Sequence, residues 1–298
     1  MAITALGAPE LALVTNDKPV LVGSNAVSSA SIKHWVRSGD ITGTPTNYDV
    51  AASPISRVYD GHSHLTSKPS TGNALQYLSF DLGADVDDWD MIMIGGHNFG
   101  TLALSSCYVQ AGADATFGSL STIHDFHTGG GTMSSDKRLV AFLANRYSGE
   151  HARYIRLNLQ KSGGSVIPQV GEFWLGRRRH LPYKFNVAGQ NKRTRSEVQM
   201  FESRSGITTR YILSQGRAVR EGSIEMDGST HIDDVTEWWK ETSYGSKPFL
   251  WIEDPSTSPQ DCHVMTCEPE LSFDSTGPSS RMLDLAMVES APYLSGET

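Results

Sequence analysis

The residues of this chain that could do chemistry fall in a few short runs, and each run can be held against the spacing its chemistry requires. The segment DMIMIGGHNFGTLAL, Asp90 to Leu104, ends an apolar run on a glycine turn carrying His97 and Asn98. Gly95 and Gly100 have the separation of a phosphate loop, but Thr101 and Leu102 stand where such a loop needs Lys followed by Ser or Thr. TLALSSCYVQAG then alternates like a strand, so no helix end is expected to meet an anion. The turn reads instead as a chain reversal at a sandwich edge. Gly95 and Gly96 are expected to supply positive φ or close approach, and His97 and Asn98 to bond the turn backbone.

Metal chemistry is the next class to test. The run DVDDWD offers Asp85, Asp87, Asp88 and Asp90, yet an EF-hand count from Asp85 puts Trp89 fifth, Asp90 sixth and Gly96 twelfth. The pattern fails, and a solvated acidic turn is expected. His62 with His64, and His124 with His127, supply two ligands each without a third or fourth at metal spacing. Cys262 and Cys267 are five apart, so on a strand they point to opposite faces, while His263 and Cys267 share one. With Cys107 they make three thiols, which is no disulfide framework. No metal and no cofactor are expected.

Covalent catalysis finds no G-x-S-x-G elbow and no thiol in a reactive context. Scattered carboxylates can pair across a cleft in space, as glycosidases require, and spacing alone leaves that open. Aromatic residues remain: Trp35, Tyr59, Phe126 and Tyr147, with Phe117, are expected in loops or at strand ends, where a ring beside an amide or hydroxyl can hold a sugar. Core packing and subunit contact use the same residue types.

The elements that must position these residues are strands. Leu78, Phe80 and Leu82 alternate with Tyr77, Ser79 and Asp81; Ile155, Leu157 and Leu159 do the same in RYIRLNLQ. DMIMI is apolar on both faces and EFWLG nearly so, as central strands can be. The segments between carry Gly, Ser and Pro, the chemistry of loops. After Gly176 comes the basic run GRRRHLPYK, Gly176 to Lys184, read as a solvated linker in preference to an anion site. A second set of strands follows, with one amphipathic helix near 231–243. Ser229 or Thr230 can cap it, Ile232, Val235 and Trp238 or Trp239 make its stripe, and Gly245 and Pro248 end it.

The 298 residues carry a formal charge of -8, which argues against nucleic-acid binding because phosphate neutralisation needs a cationic surface. With 38% hydrophobic and 19% charged residues the chain reads as folded and rich in turns. No window reaches the apolar length of a membrane span, and the first residues lack the basic start of a secretory signal, so synthesis in a cytoplasm without membrane insertion is expected.

LQYLSFDLG, WDMIMIGGHNFG, ARYIRLNLQ and PQVGEFWLG, in this order, resemble the galactose-binding, discoidin-like jelly roll in versions carried by bacteriophage tail proteins. His97 and Asn98 match the G-H-N turn of that pattern, and the resemblance covers about Leu21 to Gly176. TTRYILSQGRAVREGSIEMDG, VTEWWKET and KPFLWIEDP resemble the sandwich-plus-helix unit of phage tail-tip and baseplate proteins, related to tail-tube subunits. Phe249 and Trp251 match its aromatic strand.

The resemblance implies an all-β protein: an N-terminal jelly-roll β-sandwich over 1–176, a basic linker or arm over 177–196, and a C-terminal tail-tube-like β-sandwich or barrel with one helix over 197–298. It implies a non-enzymatic virion protein, made in a host bacterial cytoplasm. Such a protein would form or decorate a homo-oligomeric ring, trimer or hexamer, at the distal end of a phage tail, between tail-tube and tail-hub or baseplate proteins. Trp238, Trp239, Phe249 and Trp251 would form the assembly core. The alternative is a carbohydrate-binding module for host adhesion, contacting a surface polysaccharide through Trp35, Tyr59, Phe126 and Tyr147. A glycan hydrolase is the third reading.

Overall fold

The computed structural model describes residues 18–37, 51–60, 65–83, 88–102, 104–127, 138–161, 167–182, 191–202, 208–267, 272–275 and 280–290. Within them the strands and α-helices run β1 (Val20–Val22), β2 (Ile32–Arg37), β3 (Leu75–Asp81), β4 (Trp89–Gly95), α1 (Phe99–Leu102), β5 (Ser106–Gly112), β6 (Ser121–Asp125), β7 (Leu139–Tyr147), β8 (Tyr154–Gln160), β9 (Glu172–Gly176), β10 (Arg178–His180), β11 (Asn191–Glu202), β12 (Thr208–Asp227), α2 (Gly228–Glu241), β13 (Phe249–Ile252), β14 (Cys262–Cys267), β15 (Ser272–Ser275) and β16 (Ser280–Glu289). The fold is all-β, as the strand periodicity implied. Among the described residues no helix is long and apolar enough to cross a membrane.

Three antiparallel sheets are stacked. A five-stranded sheet, β2-β3-β8-β5-β6, faces a three-stranded sheet, β7-β4-β9, and the two enclose the first core. The third is eight-stranded, in the order β10-β1-β13-β14-β16-β12-β11 with β15 on β16. The period-two alternation of strands explains how the middle sheet serves two neighbours at once. Ile92, Ile94, Phe173 and Leu175 point into the core shared with the five-stranded sheet. Met91, Met93 and Trp174, on the opposite face, pack against Val20, Val22, Leu250, Ile252, Cys262 and Val264 of the large sheet. This is why DMIMI and EFWLG lack a polar face: each strand lies between two packed sheets.

The large sheet repeats the pattern one layer on. Leu21, Phe249, Trp251 and Met265 turn away from the middle sheet and meet Val235, Trp238 and Trp239 of α2. Trp238 stands edge-on to Phe249 at 4.8 Å, an arrangement the ring quadrupoles favour. All four aromatic residues assigned to the C-terminal core, Trp238, Trp239, Phe249 and Trp251, are buried there. Cys262 and Cys267 take opposite faces, as their odd spacing requires, and Cys107 and Cys262 are buried thiols. The helix begins at Gly228, so Ser229 and Thr230 stand inside its first turn instead of capping it. It ends before a left-handed turn of Ser243, Tyr244 and Gly245, where a Cβ on Gly245 would meet the Trp239 ring at 2.6 Å.

Two sequence expectations change here. The segment around Leu21, read with the jelly roll, is a strand of the large sheet, paired with β13 and β10. The basic run is not a solvated linker over Arg178–His180 but an edge strand, and Arg178 and Arg179 are each 5% exposed. Both departures have one cause: the chain enters the large sheet before the jelly roll and returns to it immediately afterwards.

Candidate functional site

The glycine turn is architecture. Gly96 adopts φ +59°, whereas Gly95 has ordinary dihedrals and room for a Cβ, so only one of the pair needs to be glycine. His97 Nδ1 accepts the Phe99 N–H at 3.3 Å, and the buried imidazole stacks on the Phe99 ring. Asn98 reaches across instead: its Oδ1 accepts from Gln169 N at 2.9 Å and its Nδ2 donates to Ile167 O. A one-turn helix, α1, does follow the turn, contrary to the alternation read from the sequence, and the strand pattern resumes at Ser106.

The acidic run is not a solvated turn at Asp90. Its carboxylate is buried, accepting the Arg178 backbone N–H at 2.8 Å and lying 3.3 Å from Arg178 Nε. Burial raises its pKa, and the arginine contacts oppose that. Asp85, Asp87, His62 and His64 lie outside the described residues. Among the described residues no group of three His, Cys, Asp or Glu is placed to hold a metal ion. His124 is half-buried against the edge of Phe126, its pKa lowered by desolvation, and His127 is exposed.

The aromatic residues expected to hold a sugar are not brought together. Trp35 is a correction: it is fully buried in the first core, its indole N–H donating to Ser67 Oγ at 2.9 Å. Phe117 is also buried, edge-on to Tyr154. Tyr59 packs on the first core with Lys33 Nζ 3.9 Å over its ring. Tyr147 stacks on Trp89, where β7 pairs with the start of β4. Phe126 lies at the other end of the sandwich, since its N–H bonds Cys107 O near the start of β5, the strand that follows the end of β4.

A different constellation emerges on the outward face of the five-stranded sheet. Leu78, Leu157 and Val109 point into the core, so their neighbours point out. Tyr77, Asn158 and Tyr108 are in register across β3, β8 and β5, and Asp125 continues that row on β6. Ser79, Arg156 and Gln110 form the next row. The two rows are tied together. Asn158 Nδ2 donates to Tyr108 Oη at 2.7 Å, Arg156 Nη2 donates to Gln110 Oε1 at 2.6 Å, and the Arg156 guanidinium lies 4.4 Å over the Tyr77 ring.

Tyr77, Asn158 and Arg156 are 5, 2 and 8% exposed and form the floor of this face, while Tyr108 and Gln110 are half-buried and form its accessible part. Desolvation raises the Tyr77 phenol and lowers the Arg156 guanidinium from their ordinary values, and the two groups hold each other charged or polar by contact. Asn158 Oδ1 is a buried acceptor without a hydrogen-bond partner. The arrangement suits a neutral polyhydroxylated ligand: ring faces for C–H contact, amide and guanidinium groups for hydroxyls. Alternation in SCYVQAG and RYIRLNLQ carried this signal, because it sends Tyr108, Gln110, Arg156 and Asn158 to one face.

No family model and no curated protein matches this sequence. Among solved structures, chitosan-binding module 1 of a chitosanase/glucanase from Paenibacillus sp. IK-5 is 17% identical, with 52% of this chain and 98% of that one covered at a TM-score of 0.35. A GH29 fucosidase from Ruminococcus gnavus is 14% identical, covering 52% of this chain and 27% of that one at 0.36. The lectin binding domain of Lectinolysin, complexed with Lewis b, is 14% identical, covering 52% of this chain and 98% of that one at 0.33. Scores this low leave the function of this chain to its own residues.

Proposed function

We propose that the chain is a non-enzymatic glycan-binding protein whose sugar surface is the outward face of the five-stranded sheet around Tyr108. The observation that carries this reading is the in-register ladder of Tyr77, Asn158 and Tyr108 beside Arg156 and Gln110. A sandwich face turned to water would satisfy period-two patterning with any polar residues. This one uses two phenols, two amides and a guanidinium, already bonded to one another and therefore held in one geometry before a ligand arrives.

The test is a glycan array on the full-length protein followed by titration with the best ligand. Tyr108→Ala should weaken binding about tenfold, about 1.4 kcal/mol, with an unchanged far-ultraviolet spectrum. Equal affinity in wild type and variant would remove this face from consideration.

A second reading, a ring-forming subunit of a phage tail tip or baseplate, is supported by the hairpin of β11 and β12. The backbone of β12 pairs with β16 only from Val219 to Asp227. Among the described residues, the rungs from Glu202↔Thr208 to Glu197↔Ser214 belong to a two-stranded ribbon. Such a ribbon is marginal alone and presents two unpaired edges, so association with a second copy would stabilise it. The two readings are compatible, since several weak sugar sites on one ring gain avidity.

A further inference from the structure

A small cleft opens at the edge of the large sheet, where four arginines and a histidine meet beside Asp90 and Asp234. Edge strand β10 creates it. Its register places Arg178 and His180 beside Val22 and Val20, which face the middle sheet, and Arg179 beside Leu21, which faces α2. Side chains from both faces of one strand therefore reach the same opening. Arg177 comes from the residue just before the strand, and Arg146 from β7 of the middle sheet.

Four carboxylates match the four arginines in charge but do not meet all of their N–H groups. Asp90 accepts from Arg178 and lies 3.9 Å from Arg146 Nε. Glu241 of α2 takes Arg179 Nη2 at 2.7 Å, while Arg177 reaches Glu237 at 3.4 Å and Asp234 at 3.8 Å. Arg146 Nε, Arg177 Nε, Arg178 Nη1, Arg179 Nε and Nη1 and both ring nitrogens of His180 remain buried without a hydrogen-bond partner. The side chains of Arg178 and Arg179 are only 3% and 4% exposed, so bulk water does not supply the missing acceptors. Unmet guanidinium N–H groups concentrated in one cleft are a signature of a site built for an acceptor-rich ligand.

We propose that this cleft binds a compact tetrahedral oxyanion, phosphate or sulfate, through the free N–H groups of Arg146, Arg178 and Arg179 together with His180. A planar carboxylate would meet donors from one side, whereas these arrive from two sheets and from both faces of β10. The same chemistry is offered by a free anion and by a phosphate ester on a sugar.

The test uses the full-length protein in chloride buffer at constant ionic strength, with titration calorimetry and thermal melting against sodium phosphate, sodium sulfate and glucose 6-phosphate. Saturable binding of phosphate or sulfate is expected, weakened at least tenfold by Arg146→Gln and unchanged by Arg281→Gln on an exposed strand position. His180→Gln serves as the second variant should the first fail to fold, with the same loss expected. Glucose 6-phosphate binding more tightly than phosphate would identify the ester as the ligand, and weaker binding the free anion. Absence of saturable binding by all three, or equal affinity in the variant and wild type, would overturn the proposal.

Discussion

Two half-buried histidines set opposite pH limits on stability. His263 lies 3.3 Å from Asp261 and 3.2 Å from Glu289. Its burial lowers the pKa, but the bonds to the two carboxylates outweigh that and leave it above 6.5. With a folded pKa above the unfolded one, its contribution is complete below about 6.5 and is lost as pH rises through the folded value. His180 has the reverse sign: burial, with Arg178 and Lys18 nearby, lowers its pKa to about 4. The unfolded chain then binds more protons between about 4 and 6.5, so stability falls on acidification through that window. Thermal midpoints measured against pH should peak between the two windows. His263→Gln should flatten the alkaline limb and His180→Gln the acid limb. The sequence showed His263 on the face of Cys267 but not its bond to Glu289, which arrives from a strand 26 residues away.

At the scale of elements, helix α2 and the ribbon of β11 and β12 make separate claims. Trp251 is fully buried between the large sheet and α2, so Trp251→Ala should cost about 3 to 5 kcal/mol, read as a shift of the chemical denaturation midpoint. A loss below about 1 kcal/mol would mean that the helix does not seal this core. The amphipathic stripe of Ile232, Val235 and Trp238 made the helix legible in sequence, since local periodicity alone defines it. If the ribbon seeks a partner, light scattering should find an oligomer for the intact protein, and a shorter hairpin joining Glu197 to Ser214 should leave a monomer. A monomer in both cases would argue against the ring-forming role. Strand β10 was not legible: its three residues are basic, and its partner β1 lies more than 150 residues earlier, so no local pattern announces the pairing.

For the whole molecule, the apolar patterning carried the fold class while hiding the layering. DMIMI is apolar on both faces whether a strand is central to one sandwich or shared by two, and only the structure distinguishes Met91 and Met93, packed on the large sheet, from Ile92 and Ile94. The proposed sugar surface was not legible in the sequence for a related reason. Loop aromatics such as Trp35 are as useful to a core as to a ligand, whereas the polar halves of alternating strands become a surface only when three of them come into register. The proposed glycan-binding face, on a chain that also carries the proposed assembly ribbon, would join recognition to multiplicity. The most direct measurement is titration of the wild-type protein and Tyr108→Ala with the strongest ligand from a glycan array. Saturable wild-type binding that falls about tenfold in the variant is the expected result; no glycan bound at millimolar concentration, or binding untouched by the substitution, would contradict it.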